Sequence, residues 1–498
     1  MSLAAVRRNA WVIGAGVLSL VLTVQPFRDS DVWWHIAVGR HIIAQGIPAT
    51  EPFSFLQAAH PWVGQQWLYE VGVTRAVDLG GPGLASLLMG IVASAALLIA
   101  VLSIPPQRRP AGPWLAGALL FSAVVAAQLV GVRGQVISLL GAAVVLNVLV
   151  RWRGGSMRAL LVLPPVFALW ANLHAGFTIG LAILALAAVA TRGVPRRSRL
   201  LLGAGLAAAA LATLLNPSGP ALWGYVASTF DNATLTGVVV EWQSPDFHDV
   251  FLRLFELEAI LLVVAWTLSA RRDLFDLLLG GAVLAASLQA QRNVSLFAVV
   301  AAPQLAAYGA DAWAAQRARL PRGWLSARAR WRRPPRWFAT ALLVVVVAGT
   351  AAAVVPQLGA ATTARFEATN QPRGAADYAG RHLAGRRLYS VDTWGGYLAY
   401  RFPVGRVVYL YDETAVFGDA ALQQYLDIHD LRANWDRTLT DAGIADAILP
   451  AGSREVAALI TLGWTVDCRD ATSSSVVMSA GGTGPPGTAG LTSAPACA

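Results

Sequence analysis

The chain has 498 residues, 56% hydrophobic and 13% charged, with a mean hydropathy of +0.54. Soluble domains carry roughly 25% charged residues, so this composition excludes a protein kept in water by its own surface. The formal charge of +10 comes from 38 arginines; with no lysine in the sequence, a glycine-rich phosphate loop ending in lysine is excluded as well.

Apolar runs of about 18 to 22 residues match a hydrocarbon core of about 30 Å. They predict eleven helices, near 9–26, 84–104, 113–131, 136–151, 158–173, 176–191, 200–215, 254–270, 273–289, 294–310 and 337–356. The first is read as a retained anchor, because no small-residue cleavage site follows it. With Arg7 and Arg8 inside, 21 arginines fall on inner segments, the richest being the stretch from Arg317 to Arg336. Six fall on outer loops: Arg28, Arg40, Arg75, Arg133, Arg253 and Arg292. Cations concentrate on the cytoplasmic side of membrane proteins, which sets the orientation and accounts for the net charge without a nucleic-acid partner.

The first outer loop, 27–83, holds the richest polar cluster, beginning Asp29-Ser30-Asp31-Val32-Trp33-Trp34-His35. From Val32 to Ala44 apolar residues recur at helical spacing, predicting an amphipathic helix lying on the membrane surface. Trp33, Trp34, Trp62 and Trp67 suit the interfacial belt. Asp29 and Asp31 read either as helix caps or as a base or metal-binding carboxylate. Other outer helix ends carry polar groups too: Arg133-Gly134-Gln135, Asn172-Leu173-His174, Asn216-Pro217, Glu241-Trp242 and Gln291-Arg292-Asn293. Singly each has a structural explanation; together, on one face, they mark a site, because interfacial polar groups cost several kcal/mol unless used or paired. Guanidinium groups grip phosphate, which makes Arg133 and Arg292 candidates for a phosphate-bearing lipid.

Eleven crossings from an inner N-terminus put residues 357–498 outside. Strand-type runs at 387–391, 407–411, 445–449, 464–467 and 475–478 alternate with helical stretches near 418–429, 432–442 and 453–462, predicting an α/β domain over 357–480 with a largely parallel sheet. The Gly/Ser/Thr/Pro-rich tail 481–498 reads as disordered. An oxidising compartment would permit a Cys468–Cys497 disulfide, but the place of Cys497 at the end of that tail weighs against it.

These residues resemble the C-type (GT-C) superfamily of polytopic glycosyltransferases, nearest to a group of uncharacterised bacterial membrane proteins. The likeness runs through Asp29 to His35, Gly39, Gly46 to Pro48, Pro52 to Ser54, Trp62 to Glu70, Arg133 with Gln135, Trp170 to His174, Asn216-Pro217, Glu241-Trp242 and Arg292-Asn293, and on to Asp392, Trp394 to Leu398 and Asp412. Gly134 departs from the expected proline.

The resemblance implies a GT-C-like helical membrane domain over 1–356, with a catalytic first outer loop, beside the extracytoplasmic α/β domain. It implies a bacterial cell-membrane enzyme that takes a sugar from a polyprenyl-phosphate carrier to a cell-envelope glycan, lipid or protein, with inversion and no further cofactor. Asp31 would be the general base and Asp29 the second catalytic carboxylate. His35, Arg133, Asn172, His174, Glu241, Arg292 and Asn293 would bind substrate. No metal ligand set is assigned; a divalent ion at Asp29 and Asp31 is allowed, but nothing in the spacing demands it. A lipid or glycan transporter or flippase, and a non-catalytic envelope assembly protein, remain as other readings.

Overall fold

The computed structural model describes residues 3–231, 234, 237, 239–319, 336–481 and 494–497. The arginine-rich stretch 320–335 and most of the tail, 482–493, lie outside the described residues. The chain forms two compact units that interleave along the sequence: residues 1–27, 83–219 and 240–358 in the first, and 28–82, 220–239 and 359–498 in the second.

The first unit is helical. Helices α1 (Leu3–Thr23), the second half of α3 (Trp67–Leu102), α4 (Gly112–Ala127), α5 (Gln135–Arg153), α6 (Leu163–Leu173), α7 (Phe177–Ala190), α8 (Arg196–Ala212), α10 (Leu252–Leu268), α11 (Leu274–Gln289), α12 (Val294–Arg317) and α13 (Arg336–Val354) coincide with the eleven expected stretches. Among the described residues four helices are long and apolar enough to cross a membrane, or five if one bent pair is a single span. Close approaches hold the bundle: Thr23 donates to the Gly90 carbonyl at 2.9 Å, and a Cβ on Gly90 would stand 2.4 Å from Val24. Near the end of the bundle that carries Arg108, the ions are paired. Arg108 meets Asp273 at 3.3 Å and Asp276 at 3.4 Å, Arg153 also pairs with Asp273, and Tyr308 donates to Asp276 at 3.0 Å.

The second unit joins α2 (Val32–Gln45), the first half of α3, α9 (Ala221–Asp231) and the C-terminal segment. The two halves of α3 meet at a break where Gly80 and Gly81 leave the helical region, Gly81 at φ 71°, and Pro82 starts the next helix. Only glycine takes that angle without strain. The C-terminal part contains α14 (Ala360–Asn370), α15 (Arg373–His382), β1 (Leu388–Ser390), α16 (Asp392–Arg401), α17 (Thr414–His429), α18 (Trp435–Asp441), β2 (Asp446–Pro450), α19 (Arg454–Thr461), β3 (Trp464–Asp470) and β4 (Ser475–Ala480).

Several expectations are corrected here. The sheet has the order β1-β2-β4-β3, and only β1 with β2 is parallel. A four-residue turn joins β3 to β4, too short for a parallel crossover, so that pair is antiparallel. The run Val407–Tyr411 is no strand of this sheet; Val408 bridges Ser54 and Leu388 instead. The helix expected on the membrane surface is present as α2, but nine of its residues are buried. Trp33, Trp34 and Trp62 are core residues: Trp33 packs edge-on to Tyr397 at 5.3 Å and Trp34 lies 6.0 Å from Tyr411. The cysteines form a Cys468–Cys497 disulfide, and residues 495–497 pair with β3 through Arg469. Backbone pairing next to Cys468 brings the end of the tail within reach, which composition alone does not reveal.

Glycines set the contact of α2 with α3 and α16. A Cβ on Gly39 would lie 2.2 Å from Thr74 Oγ1 and 2.3 Å from the Glu70 carbonyl, while Gly72 on α3 faces open space. Gly39→Ala is therefore expected to destabilise the protein by about 1–3 kcal/mol, with Gly72→Ala neutral or stabilising. Thermal unfolding of the two variants in the same detergent checks this; equal midpoints would contradict it.

Candidate active site

In the second unit the carboxyl groups are gathered by pairing between residues 51–55 and the segment 407–413. Glu51 is fully buried; its Oε1 accepts the N–H groups of Phe53 at 2.7 Å and Ser54 at 2.9 Å, and its Oε2 accepts the Tyr411 hydroxyl at 2.8 Å. Ser54 donates to the Tyr409 carbonyl at 2.6 Å, and the Phe55 N–H reaches the Val408 carbonyl at 3.1 Å. This ladder fixes where residues 412 and 413 stand. Burial raises the Glu51 carboxyl above its ordinary range, although the bonds it accepts and the charge of Arg406 pull the other way.

Asp31 stands at the start of α2 without making a side-chain capping bond. Its side chain is hydrogen-bonded with that of Asp412. Burial, then the charges of Asp31 and Asp392, then that bond, hold the Asp412 carboxyl well above the carboxylate range, with Asp29 adding to the effect. Asp29 is turned to the backbone, where its Oδ1 accepts the Asp31 N–H at 3.1 Å. The Asp392 N–H donates to the Tyr425 hydroxyl at 3.0 Å, and that hydroxyl donates to Asp392 Oδ1 at 3.1 Å. His35 is 4% exposed, with its ring tilted against Trp34 at 3.7 Å between centroids and Nδ1 3.8 Å from Glu70. Among the described residues no group of three or more His, Cys, Asp or Glu is arranged to hold a metal ion.

Glu413 follows Asp412, buried, and accepts the Tyr225 hydroxyl at 2.8 Å and a bond from Gln65. Burial pushes its carboxyl up to about 7 against those two bonds, with Asp31 and Glu51 adding repulsion. The folded protein therefore holds a proton here that the unfolded chain, with an ordinary value of 4.5, has released. Where the native state binds more protons, stability falls as pH rises. Glu413 is expected to make the protein lose stability from about pH 4.5 to about pH 7, and Glu413→Gln to flatten that slope. Unfolding midpoints across this window check it; an unchanged slope would contradict it.

In the first unit the polar helix ends converge as well. Arg133 forms an ion pair with Glu241. The next residue, Trp242, lies under the Arg292 guanidinium at 4.3 Å, and Gln243 accepts the Gln291 N–H at 2.9 Å. Asn293 donates to the Ala286 carbonyl at 3.0 Å. Asn216 donates to the Ala171 carbonyl at 2.9 Å and reaches Asn172 at 3.5 Å; Asn172 itself donates to the Ala168 carbonyl at 2.7 Å. His174 Nδ1 accepts the Gly176 N–H at 3.0 Å and lies 2.8 Å from Ser138 Oγ. Burial, then the charge of Arg292, pushes His174 down to about 3. A neutral ring whose Nδ1 accepts carries its proton on Nε2, so His174 is a hydrogen-bond donor there.

Of the expected site residues, Asp29, Asp31 and His35 belong to the second unit, while Arg133, Asn172, His174, Glu241, Arg292 and Asn293 belong to the first. Within the first unit Arg133 joins Glu241, and Arg292 stands near His174. Sequence reasoning did not single out Glu51, Tyr225 or Glu413, and it named Asp392 and Asp412 only through the family likeness. The signal at hand was Asp412-Glu413, two acids directly after an apolar run.

Neither a family model nor a curated protein matches the chain. Among solved structures, the archaeal oligosaccharyltransferase AglB from Archaeoglobus fulgidus, in complex with an inhibitory peptide and a dolichol-phosphate, is similar with a TM-score of 0.53 and 12% identity, covering 89% of this chain and 69% of that one. ArnT from Cupriavidus metallidurans, in the apo state, is similar with a TM-score of 0.50 and 18% identity, covering 97% of this chain and 100% of that one. At these identities the likeness shows the fold alone, which this chain shares with AglB and ArnT.

Proposed function

We propose that the protein is a membrane glycosyltransferase that moves a hexosyl or pentosyl group from a polyprenyl-phosphate carrier to a cell-envelope acceptor, with inversion. Asp31 takes the proton of the acceptor hydroxyl, whose oxygen attacks the anomeric carbon. The bond to the phosphate breaks and its electron pair leaves with the lipid phosphate. Phosphate is already a good leaving group, so no carboxylic acid is needed to protonate it, unlike glycoside hydrolysis. Arg292 offsets the charge developing on phosphate; Arg133 assists with its charge shared by Glu241, and Nε2 of His174 donates a hydrogen bond. No cofactor beyond the donor is required.

The observation that carries this reading is the side chain of Asp31, which leaves the helix end it could cap and meets a second carboxyl group. The fold shared with AglB supports the lipid-linked donor, since the dolichol-phosphate in the AglB structure belongs to that class. In a strain lacking the gene, lipid analysis is expected to show a polyprenyl-phosphate sugar accumulating while one envelope sugar is lost. An unchanged lipid profile would contradict the proposal.

The topology proposed with it has eleven spans in the bacterial cell membrane, the N-terminus cytoplasmic and residues 357–498 outside. Ala59→Cys and Ala420→Cys, both at exposed positions, are expected to react with an impermeant thiol reagent on intact cells. Labelling only after lysis would reverse the orientation.

A further inference from the structure

We propose that Asp412 is a positioning residue for transfer: it keeps a proton through the catalytic cycle and donates it to one oxygen of Asp31, leaving the other oxygen for the acceptor hydroxyl. This rests on the glycosyltransferase reading above and assigns a role to the segment that follows the 407–411 ladder.

Two carboxyl side chains in hydrogen-bond contact must share a proton, since carboxylates have only acceptors. The surroundings decide which group holds it. Asp31 stands at the N-terminus of the 14-residue helix α2, where the backbone N–H groups and the helix dipole favour negative charge. Asp412 precedes a single helical turn, because Gly418, at φ 71°, interrupts α17 after residue 417. Asp29, Asp31 and Asp392 face Asp412, Glu413 follows it, and Glu51 acts on Glu413 in turn. Asp412 Oδ2 is buried with no hydrogen-bond partner among the described residues. An oxygen so placed is far less costly on a neutral acid than on a carboxylate. The charge therefore resides on Asp31 and the proton on Asp412, as in other close carboxyl pairs that cannot both ionise.

The proton balance is simple. The acceptor proton goes to Asp31 and from there to water after the sugar has moved; the bond broken is between the anomeric carbon and the phosphate oxygen. Asp412 gives up nothing. When pH rises far enough to remove its proton, the donor to Asp31 is lost, two carboxylates repel, and transfer falls. That predicts an alkaline limb belonging to Asp412.

The test compares Asp412→Asn and Asp412→Ala with the wild type in liposomes, using a synthetic polyprenyl-phosphate sugar and a permissive alcohol acceptor. The amide of Asn still donates to Asp31 and cannot ionise. Asp412→Ala should lower turnover by about 10- to 100-fold, the loss of one hydrogen bond to a charged group. Asp412→Asn should restore it to within about tenfold of wild type, with the alkaline limb gone. If Asp412→Ala does not fold, the limb in Asp412→Asn alone decides.

Asn as inactive as Ala, a limb that persists in Asn, or wild-type behaviour in both variants would each overturn the proposal. Infrared difference spectra provide a readout independent of turnover. The resting wild type should show a protonated-carboxyl band that Asp412→Asn removes and Glu413→Gln does not. If the wild type transfers no sugar, the glycosyltransferase reading fails. The infrared band then still tests whether Asp412 holds the proton, and its absence would overturn the assignment.

Discussion

Asp31→Asn is expected to lower transfer by about 100- to 10,000-fold, the usual contribution of a general base, while leaving donor binding and folding near wild type. Asn has nearly the shape of Asp. It can still hydrogen-bond with Asp412 but cannot take a proton from the acceptor. A structural role is a weak competitor, because Asp31 makes no side-chain bond to the start of α2 that the change could break. Asp29→Asn should be milder, since Asp29 accepts a backbone N–H, a bond that the Asn carbonyl can also accept. Turnover and donor binding measured separately check both variants. Full turnover in Asp31→Asn would remove it as the base, and Asp29→Asn equally silent would leave the second unit without a catalytic carboxylate.

Arg292→Ala is expected to weaken binding of the lipid-phosphate donor by about 10- to 100-fold, equivalent to roughly 1.5–3 kcal/mol for a bond to a charged group. The guanidinium lies over Trp242, and its charge helps keep His174 neutral. The variant should therefore also ease protonation of His174 slightly, while burial, the larger cause, still keeps the ring neutral. Arg292→Lys should recover part of the affinity without the planar grip of guanidinium on phosphate. Arg133→Ala should cost less, because Glu241 already offsets that charge. Donor affinity measured by displacement of a labelled polyprenyl phosphate orders the three; an Arg133→Ala loss larger than that of Arg292→Ala would reverse the assignment of roles.

The helices of the first unit were legible because each is written as one continuous apolar run, and a helix lies at each of the eleven expected stretches. The C-terminal strands were legible one at a time, and their pairing was not. Val407–Tyr411 has the composition of a strand, yet beside Leu388 of β1 Val408 also bridges Ser54, far away in sequence. No local pattern carries such a pairing, and with it goes the position of Asp412 and Glu413.

The same long-range contact explains the tryptophans of the first loop. Their rings fit a membrane interface and an aromatic protein core equally well by composition, and only Tyr397, Tyr400 and Tyr411 decide for the core. Asp31 could be picked out as a base or a cap from its place before α2. The absence of a side-chain capping bond and the second carboxyl beside it are not written in the local sequence.

The central claim is that the chain transfers sugar from a lipid phosphate, and release of that phosphate tests it most directly. Purified protein in liposomes, given a polyprenyl-phosphate sugar and an envelope extract, is expected to release free polyprenyl phosphate with an equal amount of glycosylated acceptor of inverted configuration. Under the same conditions Asp31→Asn should release neither. Donor that stays intact across the range of acceptors, or donor that crosses the bilayer unchanged, would contradict the account, the latter in favour of a transporter.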